Sequence, residues 1–123
     1  MLRKQIKETL VRLSAKFENT KLVWSQILPR FKWRSETDPK QLNNVRVRIN
    51  RAVANHLIAN KGAYVKYPEL SIENEGFFKD DGVHLTDLGN DLLLFRLQEA
   101  LQIFLTTNAF VYPSREVCGC GEY

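Results

Sequence analysis

Asp81 and His84 stand three residues apart in the stretch Asp80-Asp81-Gly82-Val83-His84-Leu85-Thr86. A histidine can take a proton from a Ser or Cys nucleophile through one ring nitrogen. It does so best when a carboxylate holds the other nitrogen, which fixes the tautomer and steadies the imidazolium. Gly82 permits the backbone bend that would fold the carboxylate back onto the ring. Spacing alone is a weak signal: with 14 acids and 2 histidines in 123 residues, an acid three before a His is expected by chance roughly 0.2 times. Asp80-Asp81-Gly82 is also ordinary turn chemistry.

A second set could bind single-stranded nucleic acid. Arg30, Lys32, Trp33 and Arg34 interleave base and aromatic, with Arg46, Arg48 and Arg51 adding charge nearby. Such a set can track phosphates and stack bases. The bland alternative is a solvated basic loop with Trp33 partly packed. His56 falls beside an apolar helical stripe and reads as a boundary residue. Cys118 and Cys120 are too close for an unstrained mutual disulfide and two ligands short of a structural zinc site. No metal or cofactor is expected.

The elements that must position these groups follow from periodicity. Leu2, Ile6, Leu10, Leu13 and Phe17 recur at helical steps and predict a helix over 2–17. Leu22 to Leu28 is short, apolar and non-alternating, as expected of a strand covered on both faces and stopped by Pro29. Residues 29–41 read as a polar loop. Leu42, Val45, Ile49, Ala52, Val53 and Leu57 predict a second helix over 42–60, with Gly62 as its left-handed stop. Residues 63–67 read as a strand, and 68–83 as a long acidic loop. Thr86 or Asp87 caps a third helix over 87–105, whose apolar face is Leu88, Leu92, Leu93, Leu97, Ala100, Leu101 and Phe104. Residues 106–123 read as a loose tail.

Strand, helix, strand at this length implies two parallel strands joined by a right-handed crossover. That places the Asp81–His84 loop at the carboxyl side of a parallel sheet, where α/β folds put active sites. The length suits one modest domain, over 1–105, and composition is ordinary: 44% hydrophobic and 26% charged, which argues against disorder. The net charge of +4 favours anionic partners without setting a fold. No apolar run approaches the ~18 residues of a membrane span. The charged N-terminus lacks a signal-peptide core, so an intracellular, cytoplasmic location is the default expectation.

The wider stretch carries more. Asp81-Gly82-Val83-His84-Leu85-Thr86 followed by Leu88-Gly89-Asn90 resembles the last conserved block of the SGNH (GDSL-type) hydrolases, and Leu22 to Arg30 with Trp33-Arg34 looks like their penultimate-strand region. The likeness spans roughly residues 2–105 and is closest to SGNH domains carried by vertebrate transposable elements. It implies a truncated flavodoxin-like three-layer sandwich with two parallel strands and three main helices. Helices 2–17 and 42–60 would lie on one face and 87–105 on the other. It also implies that Asp81 is the acid and His84 the base of a Ser-His-Asp triad, with an ester as substrate.

The family's Gly-Asp-Ser nucleophile block and its oxyanion blocks have no counterpart in the chain. Gly89-Asn90-Asp91 follows the histidine at the wrong spacing, and no serine has the required context. The chain thus reads as beginning after the missing block. The expectation is a partial domain, inactive alone, with no hydroxyl or thiol at reacting distance from His84. The rival readings are a nucleic-acid-associated module of a transposable element and a non-catalytic interaction fragment. The strand over 22–28 is expected to leave an edge open beside Val23 and Ile27, an invitation to self-association.

Overall fold

The computed structural model describes residues 2–32, 37–71 and 75–113. Its elements run α1 (Leu2–Lys16), β1 (Val23–Ser25), α2 (Pro39–Ala59), β2 (Ala63–Val65), α3 (Asp87–Thr106) and β3 (Val111–Tyr112). The three strands are parallel and ordered β1-β2-β3, so the architecture is mixed α/β.

Successive side chains of a strand point to opposite faces, and β1 divides the molecule in this way. Trp24 packs with Leu10 of α1 and with Ile49, Val53 and Leu57 of α2. Val23 packs on the other face, with Val65, Tyr112 and the α3 residues Ala100 and Phe104. Two helices therefore cover one face of the sheet and one covers the other.

Two strands were expected, and three are present among the described residues. β3 lies within the stretch read as a loose tail, and its two residues are too short to carry a period. It is held by bonds across the sheet: Tyr64 N donates to Phe110 O at 2.9 Å and Lys66 N to Tyr112 O at 2.7 Å. Arg96 of α3 fastens it further, donating to the Tyr112 hydroxyl at 2.9 Å and to the Glu69 carboxylate. Residues 114–123, with Cys118 and Cys120, lie outside the described residues.

Both expected strands are shorter than read. Gln26 still bonds the sheet, its N donating to Val65 O at 3.0 Å, and its side-chain oxygen accepts from Tyr67 N at 3.1 Å. The backbone then leaves the sheet because α2 offers it better partners, described below.

The second helix begins at Pro39, three residues earlier than expected. Asp38 is its N-cap, accepting from Lys40 N at 3.1 Å, and Pro39 sits where a missing N–H costs nothing. At its other end the left-handed residue is Lys61, with φ 64°, and not Gly62. Gly62 is needed for closeness instead: a Cβ there would stand 2.8 Å from Leu22 O. The expected apolar stripes also shift. Val45 of α2 and Leu88 and Leu101 of α3 are exposed, whereas Asn43, Arg46 and Asn50 of α2 are buried.

Candidate active site

The polar residues buried on α2 form a ladder at spacings of three and four, so they share one face of the helix. Asn50 Oδ1 accepts from Trp24 Nε1 at 3.0 Å and from Ile27 N at 2.9 Å, while its Nδ2 donates to Ile27 O at 3.1 Å. Arg46 also donates to Ile27 O, at 3.0 Å. Asn43 takes both backbone groups of Arg30, accepting at 3.3 Å and donating at 3.0 Å. Extended backbone that has left a sheet must find partners when it is buried, and these three side chains supply them.

The segment so held ends at the candidate site. Phe31 N donates to Gly82 O at 2.7 Å, and Lys32 N approaches the same oxygen at 3.4 Å. Gly82 adopts φ +71°, and a Cβ there would lie 2.8 Å from Lys32 Cγ and 2.9 Å from Lys32 N. Glycine is required both for the backbone angle and for the close approach. The Phe31 ring meets Phe78 edge-on, with centroids 4.9 Å apart, a favourable arrangement of two quadrupoles. The segments leaving the carboxyl ends of β1 and β2 are thereby joined.

The other end of the loop is fixed by the start of α3. Thr86 is its N-cap, its Oγ1 accepting from Gly89 N at 3.1 Å. Thr86 N donates to Phe77 O at 2.9 Å. Gly89 has no room for a side chain, since a Cβ would fall 2.2 Å from Phe77 O. Phe78 and Leu85 form an antiparallel bridge, and Lys79 N donates to His84 O at 2.7 Å.

Within this frame Asp81 folds back over its own loop. Its Oδ1 accepts from Val83 N at 2.8 Å and from His84 N at 3.0 Å. Its Oδ2 meets His84 Nδ1 at 2.6 Å. The ring bond first, and then the His84 and Val83 amides, hold the Asp81 carboxyl well below the usual carboxylate range. With Asp81 ionised, Nδ1 is the donor, which leaves Nε2 with its lone pair for a proton.

This pair can orient an imidazole and steady its charged form. Among the described residues no hydroxyl or thiol hydrogen-bonds Nε2 of His84. Ser25, at the end of β1, pairs instead with the Tyr67 hydroxyl at 2.8 Å. The pair is open to solvent, with side-chain exposures of 73% for His84 and 47% for Asp81. Beside it is a shallow hollow of ≈ 220 Å³, lined by Phe31, Lys32, Phe78, Lys79, Asp80 and Gly82.

The basic set is not gathered in the same way. Lys32 is exposed and Arg30 half-buried, while Trp33 and Arg34 lie outside the described residues. Arg46 is turned inward onto Ile27 O, which corrects its inclusion among the nucleic-acid candidates. Arg48 and Arg51 are exposed, and His56 is half-buried. Among the described residues no three His, Cys, Asp or Glu side chains are grouped to hold a metal ion, and no helix is long and apolar enough to cross a membrane. Comparison with protein-family models, with curated proteins and with solved structures finds no match to the chain.

Proposed function

We propose that this chain is the acid–base part of an SGNH-type ester hydrolase, with Asp81 as the orienting acid and His84 as the general base. In this reading the mixed α/β architecture is the last part of a flavodoxin-like sandwich. The observation that carries it is the Asp81 Oδ2–His84 Nδ1 contact of 2.6 Å, on a loop locked between Gly82 and the Thr86 cap. A solvated turn needs no such locking. Two glycines without room for a Cβ, and a histidine presented Nε2-outward, suit a loop shaped for a reacting partner.

The chemistry assigns each atom a task. A serine supplied by a Gly-Asp-Ser block on another segment would give its proton to His84 Nε2 as it attacks an ester carbonyl. Asp81 would keep Nδ1–H aimed at its own carboxylate and stabilise the imidazolium. The same Nε2–H would then protonate the leaving alkoxide. Without that serine the loss in kcat is roughly 10⁶, so the chain alone is proposed to be inactive.

The test is a fusion. The first half of an SGNH esterase, carrying Gly-Asp-Ser but lacking its own last two strands and Asp-x-x-His block, is joined ahead of this chain. Labelling of the serine by a fluorophosphonate, lost in His84→Ala, is the expected result. No labelling above that of the esterase half alone, or labelling indifferent to His84, would overturn the proposal.

A further inference from the structure

β1 is the outer strand of the sheet, and its backbone faces two ways. Ala63 N donates to Leu22 O at 2.9 Å and Gln26 N to Val65 O at 3.0 Å. In a parallel ladder the backbone groups of alternate residues turn to the same side. Leu22, Trp24 and Gln26 therefore face β2, and the N–H and C=O of Val23 and Ser25 face outward. Among the described residues nothing pairs with them.

An apolar groove of ≈ 330 Å³ runs between α1 and this strand, lined by Gln5, Ile6, Thr9, Leu10, Leu13 and Trp24. None of those residues is charged, so a charged partner would lose solvation there without gaining an opposite charge. The occupant must instead answer an outward donor and acceptor at Val23, the same at Ser25, and an apolar residue between them. β1 itself has that pattern. The opposite edge of the sheet fits less well. β3 has two residues, and Pro113 follows with no N–H to give.

We propose that β1 pairs with β1 of a second copy, antiparallel and centred on Trp24. A two-fold axis there sets Val23 against the partner's Ser25, and Ser25 against the partner's Val23. Each such pair exchanges two backbone bonds, so the axis closes about four. Trp24 then faces the partner's Trp24 as a non-hydrogen-bonded pair, the arrangement that brings side chains closest. Both indoles lie on the α1–α2 face, where the two grooves meet. The result is one continuous six-stranded sheet, and the contact is isologous, so association stops at the dimer. This inference concerns the open β1 edge of the chain by itself; in the hydrolase reading a strand of the supplied half would take that same edge, so the fused protein would not pair in this way.

Sedimentation equilibrium on the full chain, together with amide exchange by NMR, tests it. Mass is expected to rise with concentration from 14.3 kDa towards twice that value and no further. Over the same range the Val23 and Ser25 amides gain protection of roughly tenfold or more. Leu13→Lys places like charges at the joined grooves and weakens association roughly tenfold or more. Gln98→Lys, on the exposed side of α3, leaves association unchanged. Should Leu13→Lys fail to fold, the exchange pattern of the unaltered chain still decides. A mass of 14.3 kDa at every concentration, association that leaves Val23 and Ser25 exchanging as when dilute, or equal loss in Gln98→Lys would each overturn the proposal.

Discussion

Phe31 N–H donates to Gly82 O across 2.7 Å, and this backbone bond, with Lys32 N at 3.4 Å from the same oxygen, joins the segment leaving β1 to the loop that carries Asp81 and His84. Neither Phe31 nor Gly82 is a candidate for chemistry. Their contact decides where the Asp81–His84 pair stands relative to the sheet.

Gly82→Ala therefore tests whether the loop is locked. The substitution forces a side chain into the left-handed region, which costs about 1–2 kcal/mol, and pushes a Cβ against Lys32 at 2.8–2.9 Å. Urea unfolding should show a loss of at least about 1 kcal/mol, and the His84 ring resonances should shift as the pair loosens. A variant as stable as the parent, with His84 undisturbed, would show that the loop is free to choose another path.

Asp81→Asn tests the pair itself. The carboxyl titrates below its ordinary value because the folded loop favours its ionised form. A depressed folded value means stability that is fully present above the unfolded carboxylate range and lost progressively as pH falls from that range down through the depressed folded value. The stability gap between parent and Asp81→Asn should thus be present at neutral pH and close as the pH drops below roughly 4. Diethylpyrocarbonate should modify the exposed His84 before the half-buried His56, and more slowly in Asp81→Asn. Equal rates in parent and variant would remove the orienting role from Asp81.

Asn50→Ala should be the most damaging single change on α2. Asn50 is fully buried and satisfies Trp24 Nε1 and both backbone groups of Ile27. Each orphaned buried group costs about 1–3 kcal/mol, so a loss of about 2–5 kcal/mol is expected in denaturant unfolding. Trp24 emission should shift as its indole N–H loses its partner. A loss under about 1 kcal/mol would mean that water replaces the amide freely.

Lys61→Gly should stabilise the protein. Lys61 holds φ 64°, a conformation that costs a side-chain-bearing residue about 1–2 kcal/mol, partly offset by the greater entropy glycine loses on folding. A gain of about 0.5–1 kcal/mol is expected in thermal or urea unfolding. Gly62→Ala should do the opposite, since its Cβ would meet Leu22 O at 2.8 Å. Gain in the second variant and loss in the first would reverse the roles assigned to the two positions.

Several features were readable from local sequence because their causes are local. The apolar steps of α1, the Thr86 cap and the Asp81–His84 pair each lie within a turn or two of chain. A glycine between an acid and a histidine three residues on is enough to let them meet. The start of α2 is equally local, in Asp38-Pro39, yet residues 29–41 read as a polar loop because the apolar stripe begins only at Leu42.

The amino-acid sequence by itself determined three helices, strands parallel by virtue of their crossover, and one carboxylate–imidazole couple on a loop between them. Tertiary structure alone decided which polar residues are buried. Asn43, Arg46 and Asn50 look like a solvated helix face until the backbone of 27–30 is laid against them, and Val45 looks like core until that space is taken. It also decided that Val111 and Tyr112 form a strand, because two residues have no period and their partners lie some 47 positions away in register with Tyr64 and Val65. Local pattern records what a residue prefers, whereas burial is set by backbone groups that arrive from elsewhere in the chain.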